Sequence, residues 1–278
     1  MSPTKELADF VINTGFEDFS EELIDASKRC FLDWIAVTIG GRKDPSVEIL
    51  SHLIEEFGGN EQASVIGYGI KTSLLNAALL NGTMAHSLDY DDAHMYTRSH
   101  PSAPLIAALL PTAEYQKSPG FELVTAFILG FEVTTRIGLA LGNTYYDQGW
   151  HATPILGRFG VAAGVGKLLG LDTEQLNDAF GLAATQVGGI RKSFGTMGKP
   201  FHAGKAAMDG LLSAMLSKRG FTASKNILDE NSGFLSMLSS QGDLSPISNG
   251  LGKRYHLSLR TLVGICAFYH LVLLYCRF

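Results

Sequence analysis

A chain of 278 residues with 46% hydrophobic and 18% charged residues has enough apolar material for a substantial core, which excludes a disordered protein. The net charge of −5 and the scattered basic residues leave no electrostatic footprint for nucleic acid or an anionic membrane. Cys30, Cys266 and Cys276 form neither a disulfide framework nor a zinc pattern, and the N-terminal stretch has early acids and no apolar signal core, so a cytoplasmic location is expected.

Helical periodicity runs through nearly the whole chain. DFSEELIDASKRCFLDWIAVTIGG (18–41) opens with a capping-box spacing, Asp18 to Glu21. It then sets Leu23, Cys30, Trp34 and Val37 on one stripe and stops at Gly40-Gly41. Pro45 initiates an amphipathic helix over 45–57, and VIGYG (65–69) is expected as a short extended piece. Residues 72–86, 102–117 and 120–142 read as apolar helices, the last two divided by Ser118-Pro119.

The next helix, over 154–170, carries Gly157, Gly160, Gly164 and Gly166. Glycine weakens a helix interior, so four of them imply that neighbouring helices approach closely. LDTEQLNDAFGLAATQVGG (171–189) starts with a second capping box, Asp172 to Gln175, and ends on glycines. GGIRKSFGTMGKPFHAGKAA (188–207) is expected as a loop leading into a helix through Leu216. No repeat and no βαβ series is present. The expectation is an all-α domain over residues 1–250, followed by a divergent tail at 251–278. Within that tail LVGICAFYHLVLLYC (262–276), interrupted by His270, is short for a membrane span.

HSLDYDDAHMYTRSHPS (86–102) gathers histidines and carboxylates between two apolar helices, and three readings apply. As a metal site it offers His86, Asp89, Asp91, Asp92, His94 and His100, but not a helical His pair with a carboxylate between. DYDDAH touches the aspartate-rich motif of all-α prenyl-diphosphate enzymes, whose required second acidic motif does not occur here. As a hydrophilic turn it explains the aspartates, and at least one of Asp91 and Asp92 is expected to be solvated. As an acid–base site it needs a histidine fixed by a helix end, a carboxylate to orient it and groups that bind an anion. DQGWHATPILGRFG supplies His151 just before the glycine-rich helix, whose N-terminal amides favour negative charge. GTMGKPFHAGKAAMDG adds Lys199 and His202 at another helix entry.

Three long stretches now stand in order between residues 5 and 256: GTMAHSLDYDDAH with HPSAPLIAALLPTAE, GWHATPILGRFGVAAGVGKLLGLD, and GTMGKPFHAGKAAMDGLLSAMLSKRGFTA. Together they resemble the MmgE/PrpD family, which includes 2-methylcitrate dehydratase, cis-aconitate decarboxylase and iminodisuccinate epimerase. The resemblance implies an all-helical main domain, a smaller C-terminal α+β lid over the active site, a homodimer, and no metal or organic cofactor. It assigns the first Asp after HSL to Asp89, the His of HPS to His100, the His of WHATP to His151 and the Lys of GKPFH to Lys199. The substrates it implies are small di- or tricarboxylates that react through a carbanion-like species. His100 and His151 are then expected to transfer protons, with Asp89 orienting one of them. Lys199, Arg98, Arg191 and His202 are expected to hold substrate carboxylates.

The likeness stops after GLGKRYHL, where the family pattern continues into a lid and this sequence reads SLRTLVGICAFYHLVLLYCRF. That switch is what a frameshift or an alternative ending leaves, so a lid-less chain is expected. Its site would be wetter and its electrostatics weaker. A non-catalytic dimerisation module of the same family is therefore the alternative to a lyase or epimerase.

Overall fold

In the computed structural model, which describes residues 2–229, 233–257 and the backbone of 262–263, side-chain caps set several of the helix starts. Ser2 caps α1 (Pro3–Asn13), Ser20 caps α2 (Glu21–Gly41), and Asp44 caps α3 (Pro45–Phe57), each accepting from a first-turn N–H. The expected Asp18–Glu21 capping box does not form. Ser20 takes the cap, while Asp18 Oδ2 accepts from Gly15 N at 2.8 Å and closes a 3-10 turn over Phe16–Asp18.

A two-stranded hairpin follows, β1 (Ala63–Val65) antiparallel to β2 (Ile70–Thr72), with Val65 opposite Ile70. VIGYG is thus mostly the turn of that hairpin. Gly67 and Gly69 adopt left-handed backbone (φ 75 and 69) that no extended segment would need. Ser73 then caps α4 (Leu74–His86). A short strand, β3 (Ala93–His94), leads to α5 (Ser102–Gln116), α6 (Gly120–Leu141) and the single turn α7 (Thr144–Asp147).

The next helix, α8 (Ala152–Leu168), is buried at every position from Ala152 to Gly166. A helix apolar all round must be enclosed, and α5, α6 and α8's two successors wrap it. Those successors are α9 (Thr173–Thr185), which forms the expected Asp172–Gln175 capping box, and α10 (Gly198–Lys218). The glycines of α8 admit the close approach expected of them: a Cβ on Gly160 would lie 2.6 Å from the Gly130 carbonyl of α6. The helix α10 begins earlier than its loop-like sequence suggests. Pro200 lies in its first turn, where a missing N–H costs nothing, so Lys199 and His202 ride on a helix. It packs on α4 and α8, and a Cβ on Gly82 of α4 would sit 2.8 Å from Gly204 Cα of α10.

Short helices α11 (Phe234–Leu238) and α12 (Ser245–Ser248) complete the order, with β4 (Leu262–Val263) paired antiparallel to β3. The segment around α12 is held by a buried ion pair within α6, Arg136 Nε to Glu132 Oε1 at 2.7 Å. Arg136 also donates to the carbonyls of Pro246, Ile247, Asn249 and Arg254, and Glu132 accepts from His256 N. The protein is predominantly α-helical, and its described strands are these two short pairs. Among the described residues α6 is the one helix long and apolar enough to cross a membrane, and most of it is buried inside the fold. The expectations for the tail beyond 257, apart from the backbone of 262–263, lie outside the described residues.

Candidate active site

His86 ends α4 and carries its imidazole into the interior. The chain then reverses through Asp89, whose left-handed backbone (φ 55) suits a short polar side chain. That reversal returns Asp91 to His86: Nδ1–H of His86 donates to both carboxylate oxygens at 2.9 Å. His100 approaches the same carboxylate, with Nδ1 3.2 Å from Asp91 Oδ2 and Nε2 3.7 Å from Asp89 Oδ1. Its backbone N–H donates to Thr153 Oγ1 at 3.0 Å, fastening the loop to the first turn of α8. One buried carboxylate therefore serves two imidazoles whose ring centres are 4.6 Å apart.

Two other elements close the site. His151 precedes α8 and stacks on His86 at 6.0 Å between ring centres. Lys199, in the first turn of α10, is ion-paired with the exposed Asp89. Phe194 bridges these groups, its ring centre 4.8 Å from that of His151 and 5.1 Å from Lys199 Nζ. The structure thus brings together Asp89, His100, His151 and Lys199 from three separate stretches of sequence. His202 joins them, with its Nδ1 3.1 Å from Nδ1 of His151. Arg98 and Arg191 meet instead around Tyr146, their guanidinium carbons 5.0 and 4.1 Å from its ring centre. Arg98 also pairs with Asp147, and Arg191 donates to the Tyr146 carbonyl.

The protonation biases of the two central histidines are opposite. Burial disfavours charge on His100, yet the Asp91 carboxylate outweighs it and raises His100 above the ordinary histidine value. His151 has no carboxylate partner. Burial, and then the positive potential of His86, His202, His100 and Lys199, push it down to about 2. Asp91 itself is driven the other way: burial acts to raise it, but His86 and His100 hold it well below the usual carboxylate range.

The expectation that Asp91 or Asp92 is solvated is overturned, because both are buried. Asp92 accepts from Ser102 N at 3.3 Å and from the Ser102 hydroxyl at the start of α5. Burial raises Asp92 to about 6. Asp33, on α2 behind it, is raised to about 7 by burial and by the charges of Asp92 and Asp91. A buried carboxyl compartment therefore backs the histidine site. Asp33 has no counterpart among the sequence candidates, since on α2 it reads only as one polar position in an apolar helix.

Metal-capable atoms of His86, Asp89, Asp91 and His100 do lie within 4.8 Å of one another. Two of those four are already committed. Asp91 is shared by two imidazoles, and Asp89 holds the Lys199 ammonium where a cation would bind. Such a donor set suits an ion-paired acid–base network better than a metal cage.

Sequence reasoning also passed over Arg158. Its Nε donates to Asp209 Oδ2 at 2.9 Å and its Nη1 to the carbonyls of Pro154 and Gly188, at 2.6 and 3.0 Å. The available signal was an arginine amid the apolar run ILGRFGVAAG, since a charge on a buried helix requires a partner.

Residues 5–247 match the model of the MmgE/PrpD N-terminal domain. The chain is 30% identical to a cis-aconitate decarboxylase-like protein, oryM, of Aspergillus oryzae, across 95% of this chain and 59% of that protein. It is 30% identical to cis-aconitate decarboxylase of Aspergillus terreus, over 91% of this chain and 54% of the relative. Human cis-aconitate decarboxylase is 29% identical, over 84% and 50%. The chain thus spans half to three fifths of the length of these curated relatives.

Proposed function

Because the chain belongs to the MmgE/PrpD family, we propose that it is a cofactor-independent lyase module that acts on a small di- or tricarboxylate through histidine acid–base chemistry. The observation that carries this reading is the opposite bias of His100 and His151, both packed against His86. Two titratable groups pushed apart by their surroundings divide acid and base roles between them.

His151, uncharged, is suited to take a proton from the carbon next to a substrate carboxylate. His100, whose hold on its proton Asp91 strengthens, is suited to give one up. In a dehydration the C–H electron pair forms the new double bond, and His100 protonates the departing hydroxyl as water. In a decarboxylation the C–CO₂ bond breaks instead, its electron pair enters an enolate, and His100 protonates carbon. Lys199 exchanges Asp89 for a substrate carboxylate and steadies the negative charge. The Asp89 carboxylate, 3.7 Å from His100 Nε2, orients that imidazole until the exchange. Arg98 and Arg191 are assigned the lesser part of attracting outer carboxylates. The relatives' names favour cis-aconitate as the first substrate to try. An epimerisation of an aminodicarboxylate would use the same pair for proton removal and return.

A second reading is an assembly module, a homodimerising unit with no turnover of its own. It is favoured by the exposed apolar side chains of Ile49 and Leu53 on α3 beside Met197 and Phe201 at α10, which line one groove. Proton NMR of the chain with cis-aconitate, 2-methylcitrate, citrate and iminodisuccinate, together with its mass in solution, separates the two. Turnover abolished by His100→Ala and by His151→Ala supports the lyase. A folded dimer inert toward all four supports the assembly module.

A further inference from the structure

The contact between His151 and His202 is unusual in pairing like atoms. Both Nδ1 nitrogens lie 3.1 Å apart, so one must carry a hydrogen and the other a lone pair. The pair is held neutral. Burial lowers His202, and the buried Arg158 guanidinium lowers it further, while His151 is lower still. Two neutral rings leave two arrangements, with the shared hydrogen on His151 or on His202.

The role of His151 as a base chooses between them. Nδ1 of His151 is engaged by His202, which leaves Nε2 as the ring nitrogen that can meet a substrate. A base must present a lone pair there, which places the ring hydrogen of His151 on Nδ1. We propose that His202 is a positioning residue, accepting from Nδ1–H of His151 and so fixing His151 in the tautomer whose bare Nε2 faces the substrate. The inference rests on the lyase reading, which makes His151 the base, and on the contact itself for its geometry. It also moves His202 from the substrate-binding role expected of it to a supporting one.

The fold braces this contact from behind. His151 N donates to Gly189 O at 3.1 Å, and Arg158 grips the adjoining Gly188 carbonyl along with Pro154 O and Asp209. Gly189 has φ +122, and a Cβ there would lie 2.5 Å from Pro154 Cγ and 3.5 Å from His202 Cγ. A side chain at that point would run into Pro154 while just touching the His202 ring. Gly189 therefore provides the close seat beside Pro154, and Arg158 holds the adjoining Gly188 carbonyl.

Long-range 15N–1H spectra of the imidazoles in the whole chain test the proposal without any turnover. For wild type, the expected result is a protonated Nδ1 and a bare Nε2 on His151 at pH 7.5. In His202→Leu the His151 nitrogens shift toward the opposite tautomer, while His202→Gln, whose amide oxygen still accepts, retains the wild-type pattern. A wild-type His151 protonated at Nε2, or a pattern indifferent to His202→Leu, overturns it. The wild-type and His202→Gln spectra decide the matter even if His202→Leu does not fold. With an active substrate, kcat falls at least ~10-fold in His202→Leu at nearly constant KM, as expected for a misplaced tautomer. A raised KM with unchanged kcat would return His202 to substrate binding. An inert wild-type chain that shows the expected tautomers leaves this inference standing and removes only the lyase reading.

Discussion

Gly82 of α4 and Gly204 of α10 meet backbone to backbone, and a Cβ on Gly204 would run into the Leu79 carbonyl. The contact sets the depth at which α10 seats against α4, and hence the meeting of Lys199 with Asp89 one helix-end away. Gly204→Val should destabilise the fold by about 1–3 kcal/mol through overpacking. Urea unfolding checks it, and a midpoint equal to wild type would show that the two helices part freely.

Asp91 carries the negative charge on which both His86 and His100 depend. In Asp91→Asn that charge is gone while burial remains, so His100 should titrate below the ordinary histidine value instead of above it. Histidine NMR titration reads the change directly. If the chain turns over substrate, the loss of a positioned acid should lower kcat by about 10²–10⁴. An unmoved His100 would mean that Asp91 does not charge it.

The pH profile of the proposed lyase activity should be one-sided between pH 5.5 and 9. His151, lowered to about 2, is already uncharged across that window, so it contributes no acid limb there. His100 is raised, so its proton is lost only above the ordinary histidine value. The expected kcat/KM is flat at mildly acidic pH and falls as pH climbs above the ordinary histidine value. An acid limb centred near ~6.5 would assign the base to a histidine of ordinary pKa.

Asp33 should make the protein less stable as pH rises. Its carboxyl ionises near ~3.9 in an unfolded chain but only at about 7 in the fold. Its favourable contribution is full below the first value and is lost as pH rises through the second. Asp33→Asn, which cannot ionise, should therefore gain about 1 kcal/mol or more over wild type at pH 8, and far less at pH 4.5. Denaturant melts at the two pH values give the difference; an equal gain at both would point to a packing effect.

Much of the helical scaffold was legible because its signals are local. Pro45 begins α3 and Gly41 ends α2, while Asp172 with Gln175 caps α9, each where the spacing placed it. Local signals also misled where two neighbours compete for one job. Ser20 and Asp18 both suit the cap of α2, and only the turn at Gly15 decides that Asp18 is taken elsewhere. Likewise VIGYG has strand-like residues, but its left-handed glycines turn the chain between strands that lie on either side.

The sequence by itself determined the helical class, the family and the four side chains that converge from three distant stretches, because periodicity, capping and motif order are written in short spans. Only the tertiary structure decided their states. It buried Asp91 beneath two imidazoles, raising His100, and left His151 without a carboxylate, lowering it. It also set Asp33 behind Asp92, and Arg158 behind His202. Burial and Coulomb energy depend on what surrounds a group in space, and some of those neighbours are distant in sequence, 51 residues for His151 with His202 and 110 for Asp89 with Lys199.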